Sequence, residues 1–332
     1  MSPTTLTLLF ASLITTTLMV LLSHHWLLAW LALELNTLSI LPMIIKRHQP
    51  RATEAATKYF LIQAAAAATL LFASAMNAWQ TGQWSITHTT ALTTTMFTLA
   101  ILLKLGLAPM HLWYPEILQG APMLVALLIS TWQKIAPLSL LYLTAPALPT
   151  NILLLAGLLS TLIGGWGGLN QTQTRKIMAF SSIAHMGWLI TTISLNPGLT
   201  TLAFLLYTIL TTTMFIALNT NTTNSLTNLN TMWSYSPTLL TTTMLTLLSL
   251  GGLPPLTGFM PKWLILKELT STNLMTLSTM MALASLPSLF FYTRMAYLTT
   301  LTLAPAPTNI KPKWRFKTQH SMNYTTYLSL TT

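Results

Sequence analysis

Two stretches decide the fold: Lys104-Leu-Gly-Leu-Ala-Pro-Met-His-Leu-Trp-Tyr-Pro-Glu116 and Leu250-Gly-Gly-Leu-Pro-Pro-Leu-Thr-Gly-Phe-Met-Pro-Lys262. Each interrupts an apolar segment with glycine and proline, and Gly106 aligns with Gly252 at an offset of 146 residues. Unwound backbone is tolerated at membrane depth only where protein or a water-filled cavity satisfies it, so paired interruptions indicate an internally repeated transporter. The alternative is a pair of proline kinks that serve helix packing. A lysine in or beside each interruption makes that alternative less favoured.

The composition excludes an ordinary soluble globular protein. The 332 residues include 15 Lys+Arg and 4 acidic residues, so 6% of the chain is charged, against about a quarter in soluble domains. The hydrophobic fraction is 52% and the mean hydropathy is +0.61. Since the chain contains no cysteine, disulfides, thiolate metal sites, cysteine-ligated iron–sulfur clusters and cysteine nucleophiles are excluded. The net charge of +11 is better explained by membrane orientation than by nucleic-acid binding.

The apolar segments predict an all-α polytopic membrane protein with about 10–11 transmembrane helices, each of about 20 mostly apolar residues. One integral membrane domain is predicted to cover residues 1–332. Its first segment is predicted to be a retained span, because it lacks a basic start and another apolar segment follows at once. Residues 301–332 are predicted to be a basic tail with a partial terminal helix, either a stub or the start of an eleventh helix. The predicted spans are 3–23, 25–45, 55–78, the broken helix 91–114, 121–143, 150–169, 176–195, 198–219, the broken helix 237–269 and 274–300.

The basic residues are distributed unequally between the two sides of these spans. Lysine and arginine near helix ends stay on the side that is not translocated. Only Lys267 lies near the side opposite the N-terminus, and Lys104, Lys134 and Lys262 fall inside spans. The remaining basic residues all lie on the side of the N-terminus: Lys46, Arg47, Arg51, Lys58, Arg175, Lys176, Arg294, Lys311, Lys313, Arg315 and Lys317.

Four ionisable side chains and one histidine lie at predicted membrane depth: Glu34, Lys104, Lys134, Lys262 and His185. A charged group at the centre of a helix costs about 3 kcal/mol on insertion scales, so such a group is a candidate functional residue. Glu34 and Lys104 are the predicted pair of opposite charge. A purely structural set of ion pairs is the alternative, but three lysines against one carboxylate favour proton handling. For His185, a packing role and a relay role are equally supported.

Five motifs resemble those of the antiporter-like membrane subunits of respiratory complex I, NADH:ubiquinone oxidoreductase, and the resemblance covers essentially the whole chain. Two of them are the interrupted stretches quoted above. The others are His25-Trp-Leu-Leu-Ala-Trp30 with Glu34-Leu-Asn-Thr37, Gly164-Gly-Trp-Gly-Gly-Leu-Asn-Gln-Thr-Gln-Thr-Arg-Lys-Ile177 and Ala179-Phe-Ser-Ser-Ile-Ala-His-Met-Gly-Trp188.

This resemblance implies an antiporter-like inverted repeat in the mitochondrial inner membrane, with the Lys/Arg-rich side and the N-terminus facing the matrix. The implied partners are other membrane-arm subunits, including other antiporter-like ones, accessory subunits and membrane lipids, and no nucleic acid is expected. No cofactor is expected in this chain. NADH, FMN, iron–sulfur clusters and ubiquinone are expected elsewhere in the complex, where electron transfer would drive proton transport.

The resemblance also implies roles for single residues. Glu34 is the carboxylate that pairs with Lys104, Lys134 is the central lysine between two half-channels, His185 is a polar bridge, and Lys262 is the terminal lysine. The half-channels would cover about 25–143 and about 150–300. The family usually closes with a full helix, and Thr332 ends the sequence too soon for one. A stand-alone cation/proton antiporter and a structural spacer between pump modules remain alternative functions.

Overall fold

The computed structural model describes residues 2–46, 49–220, 223–229 and 237–300. This part of the chain is helical and contains no β-strand, which confirms the predicted all-α class. The predicted tail and partial terminal helix at 301–332 lie outside the described residues.

The described helices, in chain order, begin and end at these residues: α1 Pro3–Leu21, α2 Trp26–Ile45, α3 Pro50–Thr81, α4 Ala91–Leu105, α5 Trp113–Gly120, α6 Met123–Ser130, α7 Ile135–Leu143, α8 Thr150–Leu169, α9 Thr174–Ile193, α10 Pro197–Thr220, α11 Leu226–Leu229, α12 Pro237–Gly251, α13 Phe259–Ser271 and α14 Met275–Thr300. Short 3-10 turns cover Trp132–Lys134 and Ala145–Ala147.

Threonine is compatible with these membrane helices because its hydroxyl bonds to the preceding turn of its own helix. The hydroxyls of Thr191 and Thr213, for example, donate to the carbonyls of Trp188 at 2.8 Å and Leu210 at 2.7 Å. The polar atom is therefore satisfied without a partner from outside the helix. Several helices also begin at proline, whose missing N–H costs nothing in the first turn.

Seven helices in the described ranges are long and apolar enough to cross a membrane, counting α6, the 3-10 turn and α7 as one span. The helices α4 and α12 are shorter because each ends at one of the predicted interruptions. Of the remaining predicted spans, 176–195 corresponds to α9, which has 20 residues. The predicted order of spans is therefore reproduced by the helices.

Both predicted interruptions have the same backbone. Gly106 and Gly252 adopt φ values of +70° and +79°, a conformation that glycine reaches without steric cost. After α4, the N–H of Leu107 donates to the carbonyl of Leu102 at 3.1 Å, and after α12 the N–H of Leu253 donates to the carbonyl of Leu248 at 3.3 Å. Cis peptide bonds precede Pro109 and Pro255. The chain therefore leaves both helices by the same glycine turn.

A further interruption corrects the predicted continuous helix at 121–143. The helix stops at Ser130, turns through Trp132–Lys134 in 3-10 geometry and resumes at Ile135. Pro137 contributes to this break, because it has no N–H to donate to the carbonyl four residues earlier and its ring crowds that turn. Lys134 therefore lies at a break in its span.

Glycines let α8 and α9 approach closely. A Cβ atom on Gly164 would lie 2.6 Å from the backbone nitrogen of Ala184, and one on Gly187 would lie 2.7 Å from the carbonyl oxygen of Gly157. Larger residues at these positions would force the two helices apart. The close contact fixes the helix that carries His185.

Candidate functional site

A layer of polar side chains separates two apolar clusters in the core. The Tyr59 cluster includes Tyr59, Ile129 and Ile183, and the Trp26 cluster includes Trp26, Ala136 and Met186. Several helices pass from one cluster to the other at a polar residue. The side chains at these crossing points, called the polar layer, are Asn36 on α2, Gln63 on α3, Lys104 at the end of α4, Lys134 before α7, His185 on α9 and Tyr207 on α10.

Lys104 faces a small cavity within this layer. Lys104 is 6% exposed, and its ammonium has no hydrogen-bond partner among the described residues. The cavity measures about 20 Å³, which is room for one water molecule. We call it the inner cavity; its polar and aromatic lining is Asn36, Thr37, Tyr59, Gln63, Lys104, Trp113, Tyr114, Gln133 and Lys134. Two of the predicted lysines thus share one cavity.

Glu34 does not form the predicted ion pair with Lys104. Within the described ranges, the carboxylate of Glu34 is not within 4.0 Å of the Lys104 ammonium, and the two groups interact only through space. Glu34 is half-buried beside Leu35, which is exposed on the outer face of α2. Oε2 of Glu34 is buried and, like the Lys104 ammonium, has no hydrogen-bond partner among the described residues.

Lys134 is held by one tyrosine hydroxyl and two aromatic rings. The residue is 3% exposed, and its ammonium donates to the hydroxyl of Tyr207 at 3.1 Å. The Tyr207 hydroxyl in turn donates to the carbonyl of Ser130 at 3.0 Å. The ammonium also lies over the rings of Tyr114, at 5.2 Å, and Tyr207, at 4.9 Å. These contacts favour a cation without a carboxylate partner.

A reciprocal amide pair fixes the turn that carries Lys134. The amide of Asn36 donates to Gln133 Oε1 at 2.9 Å, and the amide of Gln133 donates to Asn36 Oδ1 at 3.3 Å. These bonds connect α2 to the 3-10 turn directly before Lys134. The position of the lysine is therefore set by side chains as well as by backbone.

His185 lies between Lys134 and Lys262. Its Nε2 is 3.3 Å from the hydroxyl of Tyr292, and its ring centre is 5.6 Å from that of Tyr207. A second cavity of about 30 Å³ is lined by both His185 and Lys262. The Lys262 ammonium donates to the carbonyl of Gly251 at 2.8 Å. The structure thus brings His185 close to the second interruption.

Sequence reasoning missed two tyrosines that complete this arrangement. Tyr207 and Tyr292 occur singly in apolar spans, where an aromatic residue is usually a packing residue. Their signal is a hydroxyl placed well inside a span, since such a group needs a partner in the core. Asn36 and Gln133 could have been found by the same criterion.

No group of three or more histidine, cysteine, aspartate or glutamate residues that could hold a metal ion occurs in the described part of the chain. The candidate site consists of titratable and hydroxyl groups joined by small cavities. Such an arrangement can accept, hold and pass protons.

Two family profiles match the sequence. The first, described as "NADH:quinone oxidoreductase/Mrp antiporter, TM", matches residues 23–287, and the second, "NADH dehydrogenase subunit 2 C-terminus", matches residues 289–332. A protein named NADH-ubiquinone oxidoreductase chain 2 from Xenopus laevis is 52% identical, over 99% of this chain and 95% of its own length. The protein of the same name from Carassius auratus is 54% identical, over 96% of this chain and 92% of its own length.

Solved structures share the fold. A chain in respiratory complex I from Thermus thermophilus with bound aureothin is 26% identical with a TM-score of 0.86, covering 97% of this chain and 75% of that chain. A chain in the Mrp complex from Dietzia sp. is 18% identical with a TM-score of 0.83, covering 90% of this chain and 61% of that chain. The second likeness concerns the fold alone.

Proposed function

This chain belongs to the NADH-ubiquinone oxidoreductase chain 2 family, and from that premise we propose that its polar layer carries protons across the membrane. The chain is a multi-pass membrane subunit of complex I, the enzyme that couples electron transfer from NADH to ubiquinone with proton translocation. Its fold is the antiporter-like inverted repeat with two broken helices. The remaining question is which side chains of this chain move the proton.

One observation carries the proposal: a series of titratable groups, linked by contacts or small cavities, joins the two helix breaks. The inner cavity connects Lys104 to Lys134, and Tyr207 connects Lys134 to the ring of His185. The second cavity connects His185 to Lys262. Each of these groups can both accept and donate a proton, and neither step needs a metal or a redox reaction.

The proposed transfer begins at Lys104. Its proton passes through water in the inner cavity to the neutral amine of Lys134, and Lys104 becomes the neutral amine. The Lys134 ammonium then donates to the hydroxyl of Tyr207, which must turn its own proton away from the carbonyl of Ser130 and toward His185. His185 passes the proton through the second cavity to Lys262. Each step moves one proton over a short distance, and water bridges the cavities.

Glu34 supplies the control of the first step in this proposal. A carboxylate near a lysine favours the ammonium form, and its withdrawal releases the proton. In this structure the two groups interact at a longer range than an ion pair. A charge change in a neighbouring subunit that moves the Glu34 carboxylate would alter this interaction.

The wider setting follows from the family. We place the protein in the mitochondrial inner membrane with its Lys/Arg-rich side toward the matrix, and we assign half-channels to about 25–143 and about 150–300. NADH, FMN, iron–sulfur clusters and ubiquinone would act in other subunits. Accessory subunits and lipids would contact this chain in addition to the neighbouring membrane-arm subunits.

The test is Lys134→Met in the intact complex reconstituted into vesicles. The substitution keeps the length of the side chain and removes the proton-binding group, so electron transfer should continue while proton pumping per electron falls. Lys134→Arg should fail in the same way, because arginine does not deprotonate in proteins. Lys267→Met, at an exposed lysine, is the matched control. An unchanged ratio of protons to electrons in Lys134→Met would falsify the relay.

A stand-alone cation/proton antiporter is the second candidate, favoured by the shared fold with the Mrp chain. Mild-detergent extraction and a non-denaturing gel stained for NADH oxidation separate the two. Finding this chain in the large NADH-oxidising band supports the complex I assignment. Finding it alone, together with cation/proton exchange by the isolated chain in vesicles, supports the antiporter.

A further inference from the structure

A polar pocket opens on the Lys/Arg-rich side of the protein, between α3, α5 and α9. It encloses about 350 Å³. We call it the vestibule; its lining is Arg51, Glu54, Ala55, Lys58, Glu116, Gln119, Gly120 and Lys176. The relay described above does not use any of these side chains.

One lysine joins the two glutamates of the vestibule. The Lys58 ammonium is 2.5 Å from Glu54 Oε1 on its own helix and 2.7 Å from Glu116 Oε2 on α5. The side chains of Glu54 and Glu116 are 61% and 53% exposed, so both carboxylates remain open to water. These are the only ion pairs in the part of the chain that the structure describes.

The vestibule lies about one helical turn outside the inner cavity. On α3, Ala55 lines the vestibule, and Tyr59, four residues further, lines the inner cavity. On α5, Glu116 lines the vestibule, while Trp113 and Tyr114, earlier in the same helix, line the inner cavity. Four residues of helix correspond to about 6 Å. The same two helices therefore form both spaces.

Aromatic side chains lie where the two spaces approach each other. The ring centre of Trp113 is 6.1 Å from that of Tyr59 and 5.5 Å from that of Tyr114. Trp113 is 7% exposed, and its indole N–H has no acceptor among the residues that the structure describes. A buried donor without an acceptor is a binding position for water. The aromatic group therefore offers a step between the vestibule and the inner cavity.

We infer that the vestibule is the site where the relay takes up protons from the Lys/Arg-rich side, with Glu116 as the acceptor. This inference rests on the proposed function. A hydronium ion in bulk water protonates the Glu116 carboxylate and becomes water. The carboxyl group then passes that proton through water at Trp113 to the neutral amine of Lys104, and Glu116 regains its negative charge.

The other charges of the vestibule fit this role. Glu54 on α3 provides a second carboxylate for Lys58, so the lysine keeps a partner when Glu116 is protonated. Arg51 and Lys176 face the same space from α3 and α9. Of the three cations that line this pocket, Lys58 is already paired with both carboxylates.

The experiment measures proton pumping by the intact complex in vesicles as the pH on the Lys/Arg-rich side is raised. Glu116→Gln should pump at nearly the normal rate at about pH 6.5 and about tenfold more slowly at about pH 9, where protons must be collected by a side chain. Glu268→Gln, on α13, is the matched control with the same chemical change. A small permeant weak acid should restore pumping by Glu116→Gln at high pH.

Lys58→Met separates proton uptake from the structural role of the ion pairs. It breaks both pairs and keeps both carboxylates, so it should pump faster at high pH than Glu116→Gln. A loss in Glu116→Gln that is equal at every pH indicates a structural role and overturns the inference, as does an unchanged pH profile. If Lys134→Met still pumps normally, the relay itself fails. If Lys134→Met fails to pump and Glu116→Gln behaves as wild type, the relay stands and only the assignment of proton uptake to the vestibule is wrong.

Discussion

The two helix breaks share a backbone and differ in where they place a lysine. In the first, Lys104 precedes Gly106 on α4, and its ammonium reaches the inner cavity without a hydrogen-bond partner in the described ranges. In the second, Lys262 follows Gly252 on α13, and its ammonium returns to the carbonyl of Gly251 at the end of α12. Both lysines line a small cavity, but the ammonium of the first has no hydrogen-bond partner in the described ranges, whereas that of the second also caps a helix.

This difference shows that an interrupted helix offers two distinct positions for a cation. The carbonyl groups at the end of α12 carry partial negative charge, and Lys262 neutralises it. At the offset of 146 residues, the position of Lys262 corresponds to Glu116, which pairs with Lys58 instead. The first repeat therefore has a surface carboxylate at this position, and the second has a lysine that lines the second cavity.

The largest effects are expected when Lys104 or Lys262 is replaced by methionine, each in a single variant. We expect Lys104→Met and Lys262→Met each to abolish proton pumping, because each removes a titratable group of the relay. Their stabilities should differ. Lys262→Met leaves the Gly251 carbonyl without its donor and should destabilise the protein by about 1–3 kcal/mol. Lys104→Met removes an unpaired ammonium and should leave stability equal or higher.

The measurements are the ratio of protons to electrons and the midpoint of thermal disassembly of the purified complex. Equal destabilisation by the two substitutions would show that the Lys104 side chain also makes a stabilising contact. Retained pumping by either variant would remove that lysine from the relay.

A smaller effect is expected when the link between the two breaks is weakened. Tyr207→Phe keeps the ring over the Lys134 ammonium and removes the hydroxyl that accepts its proton. Pumping should fall on the order of tenfold, less than the usual contribution of a general acid or base, because a water can replace part of the hydroxyl's role. Pumping and NADH oxidation, measured in the same vesicles, provide the test. A variant with normal pumping would show that the proton bypasses Tyr207.

The smallest effects should come from alanine substitutions of the two turn glycines, Gly106 and Gly252. Alanine at either position costs about 1–2 kcal/mol in the left-handed conformation. A Cβ on Gly106 would lie 3.1 Å from the ring of Trp113, whereas one on Gly252 would lie 2.8 Å from the Lys262 ammonium. Gly106→Ala should therefore mainly lower thermal stability, and Gly252→Ala should mainly slow pumping by moving Lys262 away from the carbonyl. The same loss of stability and pumping in both variants would contradict the proposed difference.

Most of the fold could be predicted from the sequence, because apolar length and the glycine-proline interruptions are local signals. The breaks after Leu105 and Gly251 were predicted at the correct places. The break before Lys134 was missed, since a single proline at 137 is common in membrane helices that continue. Tertiary contacts, including the amide bonds between Asn36 and Gln133, select the interrupted form there.

The site was less predictable because it depends on directions that side chains take between helices. The sequence indicated which lysines lie at membrane depth, and the structure places Lys104 and Lys134 at one cavity. The sequence could not indicate that the Glu34 carboxylate stays more than 4.0 Å from the Lys104 ammonium. Nor could it indicate that Tyr207 meets Lys134, because that contact joins residues 73 positions apart.

The small size of the two cavities has an electrical consequence. They measure about 20 and 30 Å³ and are separated by Tyr207, so each has room for about one water molecule. A potential of 100 mV is worth about 2.3 kcal/mol for each elementary charge that crosses it, and an unbroken file of water would dissipate it as a leak. Two cavities of this size on either side of Tyr207 do not hold an unbroken file of water, so the subunit can conduct protons without dissipating the gradient that it helps to build.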